Sequence, residues 1–205
     1  MVKRQPARLD AAARRQQILD SALPVFARLG CAGTGTRQLA AAAGVTEPVL
    51  YRHFRSKEGL FVAVLDQTGE RLCAAVTAVM SASGSARDRL LALAQGLPKL
   101  LERHADELRV LCGAAAGRGD AATERAVRRA FAAIGAVLGE AWSGGGLRAG
   151  VTPATAAFFL LEIGLGAALL RPSGVAAVDR PAFGKQVADL MVAALLDPRA
   201  RRRRA

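Results

Sequence analysis

A chain of 205 residues that is 52% apolar and 22% charged can bury a sizeable core, with room for one helical domain plus a small module, and it excludes wholesale disorder. Aromatic residues are only 4% and β-branched residues form no alternating runs, so a sheet protein is excluded and an all-α fold is expected. The net charge of +12 suits phosphate polyanions and acidic lipid surfaces alike, and its distribution says more than its size.

Ten Lys or Arg against three acids fall between Met1 and Lys57, and a second basic cluster stands at Arg199 and Arg201 to Arg204. Residues 1–9, basic and holding Pro6, read as a flexible arm before the first capping residue, Asp10. Ile18, Ala22, Val25, Phe26 and Leu29 then share one helical face up to the stop at Gly30, with Pro24 expected to bend the helix. Two short apolar helices follow, and Ser56 caps a longer one, with Glu58 in its first turn, through Leu60, Phe61, Val64 and Leu65. A small module over 10–65 is expected to end inside this helix.

Gly84 and Ser85 break the chain, and a helical pattern resumes through Leu90, Leu93, Leu97, Leu100 and Leu101, with Pro98 expected to kink it. Further helices are predicted at about Asp106 to Ala116, Asp120 to Trp142, Thr152 to Leu170 and Pro181 to Leu196. Glycine-rich breaks at 117–119 and 144–146, and Pro172-Ser173-Gly174, separate them. This body covers 66–197, and the Arg-rich tail 198–205 reads as disordered.

The most informative segment runs from Thr34 to Phe54 and reads as helix, tight turn, helix. Thr36 can cap the first helix, whose small apolar face is Leu39, Ala40 and Ala43. Gly44 permits the positive φ of a sharp corner, Val45 plugs it, and Thr46 caps the second helix with Pro48 in its first turn. At about 100° per residue, Leu50 and Phe54 point one way and Pro48, Val49 and Arg52 the other, with Tyr51 and His53 on the flanks. A short basic-aromatic surface of this kind fits a DNA major groove about 12 Å wide.

From about Ala11 to Leu65 the chain resembles the N-terminal domain of the TetR family of bacterial transcriptional repressors. The residues that carry the resemblance are Phe26 and Gly30, Thr34 and Thr36, Ala43-Gly44-Val45, Leu50-Tyr51-Arg52-His53-Phe54 and Ser56-Lys57-Glu58-Gly59-Leu60. Gly35, where a second Thr or Ser is common, and Cys31, in place of an aromatic, depart from the pattern. The resemblance implies a helix-turn-helix DNA-binding domain over 10–65. In it Arg37, Thr46, Pro48, Val49 and Tyr51 contact bases or adjoining phosphates, His53 and Lys57 hold the DNA backbone, and Arg52 is a further DNA-binding residue. It further implies a helical regulatory domain with a small-molecule effector pocket, a homodimer made by the last two helices, and a double-stranded operator built as an inverted repeat.

For the pocket, the aromatic and polar residues His104, Cys112, Phe131, Trp142, Phe159 and Glu162 are the candidates. For the dimer, Phe158, Leu161, Leu165 and Leu169 form one stripe, and Val187, Leu190, Met191 and Leu195 a second. Three scattered cysteines and the lack of a signal-peptide core point to the cytoplasm, and no metal site or cofactor is expected. No Gly-x-Ser-x-Gly, His-Glu-x-x-His or phosphate loop occurs, so an enzyme is not expected. Two rivals remain. One is a nucleoid-type binder without sequence preference, and the other is a membrane-surface protein using Ala154 to Leu170.

Overall fold

The computed structural model describes residues 10–81, 84–140, 142, 145–170 and 180–198. The arm 1–9, the Pro172-Ser173-Gly174 break and the tail from 199 onward, all singled out above, lie outside the described residues. Among the described residues there are nine α-helices and no strand. They are α1 (Ala11–Leu29), α2 (Thr36–Ala42), α3 (Glu47–His53), α4 (Lys57–Met80), α5 (Ala86–Arg103), α6 (Ala105–Ala116), α7 (Ala121–Glu140), α8 (Pro153–Leu170) and α9 (Arg180–Leu195). An isolated antiparallel bridge joins Leu147 to Leu196.

Local chemistry sets the helix starts. The Asp10 carboxylate accepts from the Ala13 amide at 2.6 Å, and the Ser56 hydroxyl accepts from Gly59 at 3.0 Å, so α1 and α4 begin where the sequence places their caps. Asp120 accepts from the Thr123 amide at 2.7 Å at the head of α7, and hydrogen bonds from the amide and side chain of Thr123 hold its carboxyl below the usual carboxylate range. Pro24 and Pro98 lie on exposed faces, and α1 and α5 run through them without interruption.

The buried apolar residues form one continuous cluster from Ile18 to Leu196, joined through α4. Near its N-terminus α4 buries Leu60, Phe61, Val64 and Leu65, with Phe61 edge-to-face on Phe26 of α1 at 4.9 Å. Farther along it buries Leu72, Val76 and Met80 among the later helices. Its main neighbour there is α7, and the two backbones meet at Gly69, where a Cβ would stand 3.0 Å from the Cβ of Ala130. Asp66 and Arg129 pair at 2.7 Å beside that crossing.

Helix α1 packs against α2, α4 and α6. With neighbours on several sides its buried face is wider than one stripe and takes in Leu19 and Leu23, while Leu29, expected on that face, is exposed at the helix end. A chain of charges crosses the same region. Arg71 of α4 pairs with Asp20 of α1 and stands 3.6 Å from Glu107 of α6, and His104 lies 3.6 Å from that same buried carboxylate.

Candidate nucleic-acid interface

Helices α2 and α3 span seven residues each, too short to persist without tertiary support. The corner between them is a Schellman turn. Val45 N–H donates to Ala40 O at 2.9 Å and Gly44 N–H to Ala41 O at 3.1 Å, with Gly44 at φ +63°. That backbone conformation strains any residue with a Cβ, which is why glycine stands there. Before α2, Thr34 is buried and its hydroxyl donates to Gly30 O at 2.6 Å, closing the loop after α1.

Two capping expectations are corrected. The N-cap of α2 is Gly35, whose amide donates to the Gln38 side chain at 3.0 Å, while the Thr36 hydroxyl donates to the Glu47 carboxylate at 2.6 Å. The closeness of α3 offers Thr36 an acceptor stronger than a backbone group. Thr46 does occupy the N-cap of α3, but its side chain makes no capping bond.

Within α3 the faces divide as the spacing predicts. Leu50 and Phe54 are buried in the core, and Thr46, Pro48, Tyr51 and Arg52 are exposed, Tyr51 by 47%. Val49, His53 and Lys57 are partly buried. Arg37 on α2 is 93% exposed and stands 3.7 Å from Glu47 at the start of α3. The structure therefore brings the eight sequence-predicted contact residues to α2, α3 and the start of α4, with every one at least partly open to solvent. Behind them, α1 supplies two side chains that the sequence reading did not single out. Arg15 donates to His53 O at 3.1 Å with its guanidinium 4.2 Å from the Phe54 ring centroid, and Gln17 donates to Ala43 O at 3.0 Å. Their acceptors are backbone carbonyls far along the chain, so no spacing rule signals them.

The pocket and dimer candidates scatter. Helices α4 to α9 line a cavity of about 70 Å³ whose wall, including Val76, Leu93, Leu111, Ile134, Leu160 and Met191, carries no polar side chain. Of the six pocket candidates only Phe131 lines it. Cys112 borders a separate cleft with Arg109 and Leu169, and burial pushes its thiol above the usual range. Glu162 and Phe131 border an open groove of about 1050 Å³ along α7 and α8. His104, Trp142 and Phe159 are not among the residues lining these three spaces: His104 joins α5 to α6, Trp142 is buried after α7, and Phe159 is exposed on α8. In the dimer stripes Phe158, Leu169 and Leu190 are 62%, 63% and 69% exposed, whereas Met191 and Leu195 are buried within the protomer and Leu161, Leu165 and Val187 are partly so. The register of α9 turns Met191 and Leu195 inward and Leu190 outward. Among the described residues no helix is long and apolar enough to cross a membrane, and no cluster of His, Cys, Asp or Glu could hold a metal.

Residues 18–64 match the family model described as "Bacterial regulatory proteins, tetR family". The HTH-type transcriptional activator FasR of Mycolicibacterium smegmatis is 34% identical over 104 residues, 51% of this chain and 48% of that protein. The HTH-type transcriptional repressor Rv1474c of Mycobacterium tuberculosis is 41% identical over 81 residues, 40% of this chain and 43% of that protein. The matched part thus spans about half the length of these curated relatives. A crystal structure of a TetR-family transcriptional regulator from Cytophaga hutchinsonii shares the fold at a TM-score of 0.75 and 22% identity, covering 93% of this chain and 99% of that one. The helix-turn-helix of α2 and α3 and the segment around it thus match the TetR family over residues 18–64, and the helical body behind them shares the fold of a TetR-family regulator.

Proposed function

We propose that the chain is a DNA-binding transcriptional regulator whose α3 enters the major groove. The observation that carries this reading is the division of one seven-residue helix: Leu50 fully buried behind it, Tyr51 and Arg52 free in front, and the exposed Arg37 alongside. Under this reading Arg37, Thr46, Pro48, Val49, Tyr51 and Arg52 meet base edges or adjoining phosphates, and His53 and Lys57 hold the backbone. The chain then divides into a head, 10–65, and a regulatory body, 66–197, with basic segments at 1–9 and 198–205 that add non-specific attraction. The site of action is the cytoplasm, where the DNA is.

The body supports two further parts of the proposal. The exposed Phe158, Leu169 and Leu190 on α8 and α9 are large apolar groups left facing water, and a second copy of the chain covers them in a two-fold dimer. Two-fold symmetry then requires an inverted-repeat operator with half-site centres about 34–36 Å apart, or a multiple of that. The cavity between α4 and α9 takes a small, largely apolar effector. Pockets for such ligands measure about 300–1,000 Å³, far more than the space present, so binding must spread the helices around it. Leu108 and Leu111 line that cavity, and Glu107 on the same helix, α6, reaches through Arg71 to Asp20 on α1. Displacing α6 therefore pulls on the head, and release of the operator follows. Repression is the simpler sign of regulation, since a dimer seated on an operator excludes other proteins by volume alone.

Selection from a pool of random duplexes tests the reading. The full chain enriches a symmetric sequence, and cleavage protection maps to two major-groove faces one turn or more apart. Enrichment of nothing beyond base composition favours a nucleoid-type binder instead.

A further inference from the structure

The ends of α2 and α3 are both held by one short stretch of α1. A helix leaves its last carbonyls without internal partners. At the end of α2 the Ala43 carbonyl accepts from Gln17, at 3.0 Å. At the end of α3 the His53 carbonyl accepts from Arg15, at 3.1 Å, and the same guanidinium sits over Phe54, 4.2 Å from its ring centroid. A cation at a helix C-terminus is also favoured by the helix dipole. Gln17 thus fixes the residue just before the Gly44 corner, and Arg15 fixes the far end of the helix that follows it.

We infer that Arg15 is a positioning residue for DNA recognition, setting the tilt of α3 through the His53 carbonyl and the Phe54 ring, with Gln17 holding the corner from which α3 starts. This rests on the reading of α3 as the helix that meets bases. Base readout requires several side chains to reach hydrogen-bonding distance together, so a change of tilt removes it. Attraction to phosphates depends on net charge nearby and tolerates the same change. Arg15 is exposed and basic, so its alternative role is a direct phosphate contact, and the two roles make opposite forecasts.

The experiment uses the full chain and two duplexes: the one that the unaltered protein selects from a pool of about 20 randomised base pairs, and its shuffled counterpart. Arg15→Met is expected to weaken binding to the selected duplex about tenfold and to the shuffled one less than about twofold, with the salt slope unchanged. Arg15→Lys, which keeps one donor for His53 O but loses the planar face over Phe54, is expected to fall between Arg15→Met and the unaltered protein. Hydrogen exchange supplies a readout free of DNA: amides of Leu50 to Phe54 exchange faster in Arg15→Met while those of the α4 interior do not. Equal weakening on both duplexes, with the salt slope reduced by about one, makes Arg15 a phosphate contact and overturns the inference. Unchanged discrimination, or unchanged exchange in α3, overturns it too. If the unaltered protein selects no duplex at all, the reading of α3 fails first, and the exchange result still decides whether Arg15 positions it.

Discussion

Leu50 in α3 and Leu111 in α6 are equally buried, yet the helices around them do different work. The residues after Leu50 turn outward at once as Tyr51 and Arg52, so the head carries its chemistry on the reverse side of its own core. Leu111 instead faces a cavity walled by residues of six helices, and the effector site proposed for the body is a volume that no single segment defines. A function written on one short helix can be read from that helix. A function written in the space between helices cannot.

Substitutions can break or sharpen this contrast. The largest effect is expected for Leu50→Ala, which removes a fully buried side chain under the reading face and costs about 2–5 kcal/mol in chemical denaturation, abolishing DNA binding with it. A body counterpart is Gly69→Leu, which drives a side chain into Ala130 at the α4–α7 crossing and costs about 1–3 kcal/mol. If the head reads and the body only regulates, binding by the folded fraction of that variant stays sequence-selective. Gly44→Ala is smaller. No atom stands within reach of the added methyl, so the cost is the left-handed backbone alone, about 1–2 kcal/mol by the same measurement.

Smallest in stability is Asp20→Asn, since both Asp20 and Arg71 are partly exposed and such pairs contribute about 1 kcal/mol at most. Its informative effect is on coupling. The ratio of effector affinities for free and DNA-bound protein, read by calorimetry, moves toward one when the link from α6 to α1 is weakened. An unchanged ratio removes that chain of charges from the proposal.

How much of this was legible in the sequence follows the same division. Ser56, Gly44 and the Leu50–Phe54 spacing act locally, and each stands where a reading of neighbouring residues places it. The start of α6 at Ala105 and of α8 at Pro153 lies within a residue of the periodic pattern for the same reason. Thr36 eluded that reading because its hydroxyl goes to Glu47, whose position depends on where α3 docks. Arg15 and Gln17 eluded it because they bond carbonyls 38 and 26 residues away. The cavity lining eluded it most, since of the six aromatic and polar candidates Phe131 alone stands on the wall, among leucines brought together from distant helices.

The central claim is that the exposed face of α3 meets bases, and Tyr51→Ala tests it most directly because Tyr51 is half-exposed and holds up nothing in the core. Titrations of the full chain against the selected and the shuffled duplex, repeated across a range of salt, should show the preference collapsing in Tyr51→Ala while the salt slope stays put. A loss that is the same for both duplexes, or no loss for either, would contradict it.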